Sequence, residues 1–359
     1  MSSKKEQKTG VLNEIIIIRA IACLSIVMLH SITFSVNYAE VGIPLLTIAT
    51  ILSFGTPTFV FISALILSYS YSNELPRNFY WKRIKFIFFP FAFMALFYAC
   101  VQNYHSPANI MKDTFSNLAG GYHGWFVLVI FQFYILHQLF TKFLLKFQSS
   151  IIIFISLIIT ISYLSIFNFV DRPSEQPFIQ YLWKTGYWLP FLGWLFYFTL
   201  AFYCGRNYKA FVFYIKRCRK YIYVALPITI CLLAYTNVSQ PFIGSKRVDV
   251  VPFTIIFILF LYLMFHKVKK PLLIFKLISE YSFGIYLTHM FYLRLLNSAI
   301  DESELNLGYS KIFILFIGTI LFSLMTINII NKFKFGKYLV GRINRKMPNK
   351  MKVPKGLAG

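Results

Sequence analysis

About ten apolar runs recur along the chain, near 12–34, 43–72, 84–103, 124–145, 150–169, 188–204, 221–236, 251–266, 280–298 and 311–331. Each is close to the roughly 17–25 apolar residues that a helix needs to cross a bilayer. The expected fold is therefore all-α, a polytopic membrane protein with about ten transmembrane helices. With 58% hydrophobic, 19% aromatic and only 13% charged residues, the composition excludes one or two ordinary soluble domains. The formal charge of +24 would suit a nucleic-acid binder only if the basic residues gathered on a solvated surface beside a normal core. They flank the apolar runs instead, so no nucleic-acid partner is expected.

Basic residues fall at Lys4, Lys5 and Lys8, from Arg77 to Lys85, at Lys142 and Lys146, from Arg206 to Lys220, from Lys267 to Lys276, and from Lys332 to Lys355. In a ten-span chain these all lie on one side, which the positive-inside rule makes cytoplasmic, with both termini on it. The alternate loops hold Glu40, Asp113, Asp171, Glu175, Asp249, Asp301, Glu302 and Glu304, and are expected to face outward. One missed span would throw every later loop onto the wrong side, so the alternation supports the count. The chain then divides into a cytoplasmic N-terminus (1–11), a transmembrane domain (12–333) and a basic cytoplasmic tail (334–359). Residues 344–355 read as a mobile arm near anionic membrane lipid. Arg19 interrupts the first run and no small-residue cleavage pattern follows, so the first helix reads as retained. The five cysteines are scattered without CxxC spacing and read as small core residues, with neither a metal nor a disulfide expected.

Two residues in the first run are expensive at membrane depth. Arg19 and His30 are eleven positions apart, close to three helical turns, so they share nearly one face, about 16 Å apart along the axis. A neutral imidazole suits a general base acting on a hydroxyl, and a permanent guanidinium suits a phosphate or carboxylate. Snorkelling of Arg19 to the interface and a plain interhelical hydrogen bond from His30 form the competing account. Lys82, Arg83 and Lys85, at the inner end of the third run, suit an anionic cofactor such as a nucleotide diphosphate, and equally mark topology. His123 and Trp125, behind Gly120 and Gly121, offer a sugar-stacking surface or an aromatic belt. Ser282, Tyr286 and His289 fall on one helical face, as functional groups or as packing glue.

Familiar signatures are missing. The chain has no GxxxxGK[ST] loop, no GxSxG elbow and no HExxH helix. Acidic residues are almost excluded from the runs, which argues against a proton relay built on intramembrane carboxylates. Chemistry within the membrane must then rest on His, Arg and hydroxyl groups.

In order along the chain, Arg19 and His30 with ten residues between them, the Phe54-Gly-Thr-Pro57-Thr-Phe59 stretch leading to Ser63, Lys82 and Arg83 through Pro90, Trp125-Phe126, Phe198 to Gly205, and Ser282-Phe-Gly-Ile-Tyr286-Leu-Thr-His289 together resemble the acyltransferase-3 family of integral membrane proteins. The similarity runs from about Glu14 to Phe333, and it is nearest the intercellular-adhesion C type, read both as a polysaccharide exporter and as an O-acyltransferase. Ser63-Ala64 where the family usually has Ser-Gly, and Ala201 in place of a common glycine, imply slightly different helix packing. The resemblance implies a cell-membrane O-acyltransferase that moves an acyl group, most often acetyl, from cytoplasmic acyl-CoA to a hydroxyl of an envelope or extracellular polysaccharide. It further implies a saccharide acceptor and a polysaccharide synthase or glycosyltransferase as partner, and no metal. On that reading Arg83 and Lys85 hold the CoA phosphates, Arg19 guides or neutralises the pantetheine-bearing end, and His30 deprotonates the acceptor hydroxyl or relays the acyl group. His123, Trp125, Ser282, Tyr286 and His289 line the acceptor site. Export of a polysaccharide or lipid-linked saccharide is the rival function.

Overall fold

The computed structural model describes residues 12–36, 41–171, 173–239, 242–305 and 307–343, and among them every regular element is a helix. Lys4, Lys5, Lys8, Glu40 and the arm 344–355 lie outside the described residues. The first span is α1 (Asn13–Ser35), and the second is split into α2 (Ile43–Leu52) and α3 (Gly55–Ser70). The third joins α4 (Phe79–Arg83), a π turn at Ile84–Phe88 and α5 (Phe89–Gln102). A short amphipathic helix, α6 (Pro107–Ser116), precedes α7 (Phe126–Phe143) and α8 (Ser149–Phe169). The sixth span is again broken, into α9 (Pro177–Trp188), a 3-10 turn at Phe191–Trp194 and α10 (Leu195–Arg206). Then come α11 (Tyr208–Arg217), α12 (Arg219–Ser239), α13 (Val250–Phe265), α14 (Leu273–Glu302) and α15 (Ser310–Ile330).

Eight helical segments among the described residues are long and apolar enough to cross a membrane, and α13 is an apolar helix of 16 residues. The expected run 280–298 lies inside α14, a 30-residue helix whose Lys276, Glu280, Arg294, Asp301 and Glu302 dilute its apolarity. The fold is the expected polytopic all-α one. The sixth span starts at Phe178 and not at 188, because a polar amphipathic turn extends it beyond its apolar run. Outward, α8 exposes Ile151, Phe154, Ile155, Ile158 and Phe169, a surface that only lipid covers favourably. Inward, the main core draws on α3, α7, α10 and α13 around Phe61, Phe133, Trp194, Tyr197, Phe198 and Phe253.

The broken spans are possible because side chains satisfy the backbone groups they free, as a low-dielectric interior demands. Gln132 of α7 donates to the Leu189 carbonyl at 3.0 Å and accepts from the Phe191 amide at 2.9 Å. Thr160 of α8 donates to the Leu192 carbonyl at 3.0 Å and accepts from the Phe196 amide at the same distance. Where α2 gives way to α3, Gly55 lets the two backbones meet. A Cβ there would lie 2.5 Å from Ser25 Oγ and 2.8 Å from the Ala22 carbonyl oxygen of α1. Gly55→Ala is expected to destabilise the bundle by about 1–3 kcal/mol through overpacking. Thermal unfolding in detergent checks this, and an unchanged midpoint would refute the close-approach argument. Ala64 and Ala201, the two departures from the family pattern, are both fully buried.

Helices α1 and α14 run parallel, since Cys23 shares a cavity with Ser282 while His30 meets His289 about two turns further on along each helix. Spans one and nine of an alternating ten-span chain must do so. The bundle therefore has a near end, where α1 begins, and a far end. At the near end the residues after α15 fold back: Val340 is buried, Tyr338 stacks on Phe86 at 5.7 Å, and Asn331 donates to the Gly341 carbonyl at 3.1 Å. The basic tail thus begins as packed structure over 336–343, anchored on the π turn.

Candidate active site

Three of the six histidines converge near the far end. The His289 ring lies between the other two, with its centroid 5.4 Å from that of His30 and 5.2 Å from that of His123. They come from three separate spans. His30 sits in the last two turns of α1, and His289 sits mid-helix on α14. His123 is delivered by a local device: α6 runs into a π turn, Gly120 takes φ +98°, and a 3-10 turn at His123–Trp125 opens α7. Such a positive φ favours glycine. Asn117 pins the turn to the Ala95 carbonyl at 3.0 Å, and Tyr122 pins it to the Phe91 carbonyl at 2.8 Å.

Hydrogen bonds fix how two of the rings present their nitrogens. His289 Nδ1 lies 3.0 Å and 2.8 Å from the Ile285 and Tyr286 carbonyl oxygens, so the proton belongs on Nδ1. Its Nε2 is buried without a partner and carries a free lone pair in the neutral ring. His123 Nε2 lies 3.2 Å from the Leu287 carbonyl oxygen, which places its proton there and leaves Nδ1 as the acceptor. Tyr286 braces the turn, donating to the His123 carbonyl while accepting from the Phe126 amide at 3.2 Å. No carboxylate joins the cluster, and no group of His, Cys, Asp or Glu among the described residues has the arrangement to hold a metal ion. In their neutral form these imidazoles offer lone pairs.

Two cavities meet the cluster from opposite sides. Toward the far end opens a space of about 280 Å³ whose lining includes His123, Tyr98, Tyr122, Trp125, Trp188 and Arg294. Toward the near end lies an apolar recess of about 10 Å³ lined by Cys23, Ile26, Val27, Phe59, Ser282, Ile285, Tyr286 and His289. Ser282 lines that recess, although its hydroxyl turns back to the Ser279 carbonyl at 2.9 Å. Trp125 stacks on Trp194 at 5.8 Å, so the broken sixth span forms one wall of the larger space.

Of the nine residues to which the resemblance gives a site role, the structure brings His30, His123, Tyr286 and His289 into one cluster and sets Trp125 and Ser282 on its cavity walls. Arg19, Arg83 and Lys85 stand apart from it. Arg19 is half-buried beside Tyr262 of α13 and makes no hydrogen bond or ion pair among the described residues. Arg83 stacks over Phe79 and Tyr134 at 4.8 and 5.5 Å, and Lys85 over the exposed Trp81 at 4.9 Å. Sequence reasoning missed Tyr98, whose hydroxyl donates to the Leu287 carbonyl at 3.1 Å and accepts from the Phe291 amide at 3.0 Å. It also missed Lys184 and Arg294, and the buried Lys246, which donates to the Tyr187 carbonyl and faces Trp194 at 4.6 Å. Burial pushes the Lys246 ammonium well below the ordinary lysine range, while the surrounding rings favour its charge. A basic residue on the acid-bearing side of the topology was the available signal for all three.

A family model described as an acyltransferase domain, of the acyltransferase-3 family, matches residues 12–328. The chain belongs to the acyltransferase-3 family. It is 32% identical over 362 residues to a protein of Bacillus subtilis (strain 168) named, provisionally, as the membrane-bound acyltransferase YfiQ, covering 95% of this chain and 98% of the relative. It is 28% identical to a Staphylococcus aureus (strain MRSA252) protein named, also provisionally, as a poly-beta-1,6-N-acetyl-D-glucosamine export protein, over 84% of this chain and 89% of the relative. A Staphylococcus epidermidis protein of the same name is 26% identical over 77% of this chain and 79% of its own length. No solved structure matches the chain significantly.

Proposed function

We propose that this protein is a membrane O-acyltransferase that carries an acetyl group from cytoplasmic acyl-CoA to a saccharide hydroxyl on the outer side of the cell membrane. The observation that carries the reading is the histidine cluster itself, held between an open cavity at the far end and a small apolar recess at the near end. In the step proposed, the acceptor hydroxyl gives its proton to His30, its oxygen bonds to the acyl carbonyl carbon, and the carbon–sulfur bond breaks. The CoA thiolate leaves and recovers the proton from the imidazolium. His289, with Nδ1 committed to the backbone, and His123 present further lone pairs to the acceptor or to the carbonyl carbon. Trp125 supplies an apolar face for the sugar ring.

The recess supports a short acyl group, because about 10 Å³ is roughly one water-sized sphere. A methyl group suits it, and a long chain does not. Arg83 and Lys85 are assigned to the CoA phosphates and Arg19 to the path of the pantetheine arm, a reading consistent with an α1 guanidinium left without an ion-pair partner. Both termini are assigned to the cytoplasm on the alternation of loop charge, with a polysaccharide synthase or glycosyltransferase as the supplier of acceptor and membrane lipid around the bundle. The relatives named as export proteins favour a second reading, passage of the saccharide itself. Purified protein in detergent, given acyl-labelled CoA and a short saccharide, is expected to release one thiol for each label transferred. Saccharide flux into vesicles with no covalent label would overturn the enzyme in favour of the exporter.

A further inference from the structure

Three of the far-end cations among the described residues are already neutralised or enclosed. Arg247 pairs with Asp249 at 2.5 Å, Lys311 pairs with Asp301 at 2.6 Å, and Lys246 is shut inside an aromatic cage. Lys184 and Arg294 differ. Both are exposed, neither makes an ion pair or hydrogen bond among the described residues, and both line the cavity above the histidine cluster. They reach it from separate elements, α9 and α14, so their meeting there is a tertiary arrangement and not a run of basic sequence. Arg294 lines the same cavity as Tyr98 and His123. Among the described residues no acidic one lines the cavity; its other polar groups include the neutral Gln102 and Asn117.

From this lining we infer that the cavity takes a saccharide carrying an anionic oxygen group, a phosphodiester or a carboxylate, beside the hydroxyl presented to the histidines. A planar guanidinium and an ammonium converging from two walls are the usual means of holding such an oxyanion, with Arg294 able to take it in bidentate fashion. Trp125 and Trp188 flank the same space and provide ring faces for the sugar. A saccharide bearing free amines would meet two like charges and be disfavoured. The inference rests on the acyl-transfer reading for calling that saccharide the acceptor, whereas the binding preference itself does not depend on turnover.

Binding is therefore measured directly, by tryptophan fluorescence of the full chain in neutral detergent, with three short saccharides: neutral N-acetylglucosamine oligomers, uronate-containing oligomers and phosphodiester-linked oligomers. An anionic probe is expected to bind at least about fivefold more tightly than the neutral one, with the advantage shrinking as salt rises. In the double variant Lys184→Gln, Arg294→Gln that advantage is expected to fall toward unity, while Lys112→Gln, an exposed cation outside the cavity, leaves it in place. The order of the uronate and phosphodiester probes identifies the anion. Equal binding of all three probes, or an advantage that survives the double variant, would overturn the inference. If no saccharide accepts label from acyl-CoA, the acyltransferase reading fails separately, and the binding result still decides the charge preference.

Discussion

His30→Ala is expected to lower acyl transfer by roughly 10²–10⁴-fold, the range for loss of a positioned general base, while the protein inserts and accumulates normally. The expectation follows from the place of the ring. His30 is half-buried, its side chain makes no hydrogen bond among the described residues, and it lies against His289, whose ring in turn meets that of His123 on the lining of the far-end cavity. A histidine kept only as interhelical glue would use its nitrogens to bond the neighbouring helix, as His137 does toward the Tyr71 carbonyl at 2.9 Å. The measurement is label transfer from acyl-CoA to saccharide, normalised to folded protein and read beside acyl-CoA binding. Binding is expected to persist, since Arg83 and Lys85 are elsewhere on the molecule. Transfer at the unmodified rate in the alanine variant would remove His30 from the chemistry and leave His289 Nε2 as the remaining base.

The spans were legible because each is a run of apolar residues, and the histidine of the first span because a polar ring stands out within such a run. The pairing of His30 with His123 and His289 was not. Those residues belong to spans one, four and nine, and which helices of a bundle touch is set by packing complementarity that one sequence does not display. The spacing of Ser282, Tyr286 and His289 gave a shared face correctly, yet not that Ser282 would bond its own helix. Broken spans are similarly hidden. The hydropathy of 43–72 is continuous across the α2–α3 break, and the groups that mend the sixth span, Gln132 and Thr160, are remote in sequence from Leu189 and Phe196. Arg294 escaped notice because the positive-inside rule weighs where cations accumulate, and an isolated far-end cation contributes little to that balance. Its meaning depends on lining the same cavity as Lys184, which only the fold supplies.

Asp249→Ala is expected to cost about 3–5 kcal/mol, because it would strand a buried guanidinium. Arg247 is wholly inaccessible, and Asp249 receives its Nε at 3.0 Å and one terminal nitrogen at 2.5 Å in a two-point pairing. The other nitrogen reaches Asn237 Oδ1 at 2.5 Å and the Phe242 carbonyl at 2.9 Å. Asn237 in turn bonds Thr47 and Thr50 of α2, each at 3.2 Å, so one cation ties α2 and α12 to the loop entering α13. That loop also carries Lys246, which faces Trp125 of the cavity lining and Trp194 stacked behind it. Losing the carboxylate removes charge compensation but leaves the desolvated cation, whereas removing both charges in Arg247→Met, Asp249→Leu avoids the stranded ion at the expense of the bonds to Asn237 and Phe242. The single variant should therefore unfold at a lower temperature than the double one in detergent. The reverse order, or an Asp249→Ala midpoint equal to that of the unaltered protein, would show that the latch does not hold the far-end wall in place.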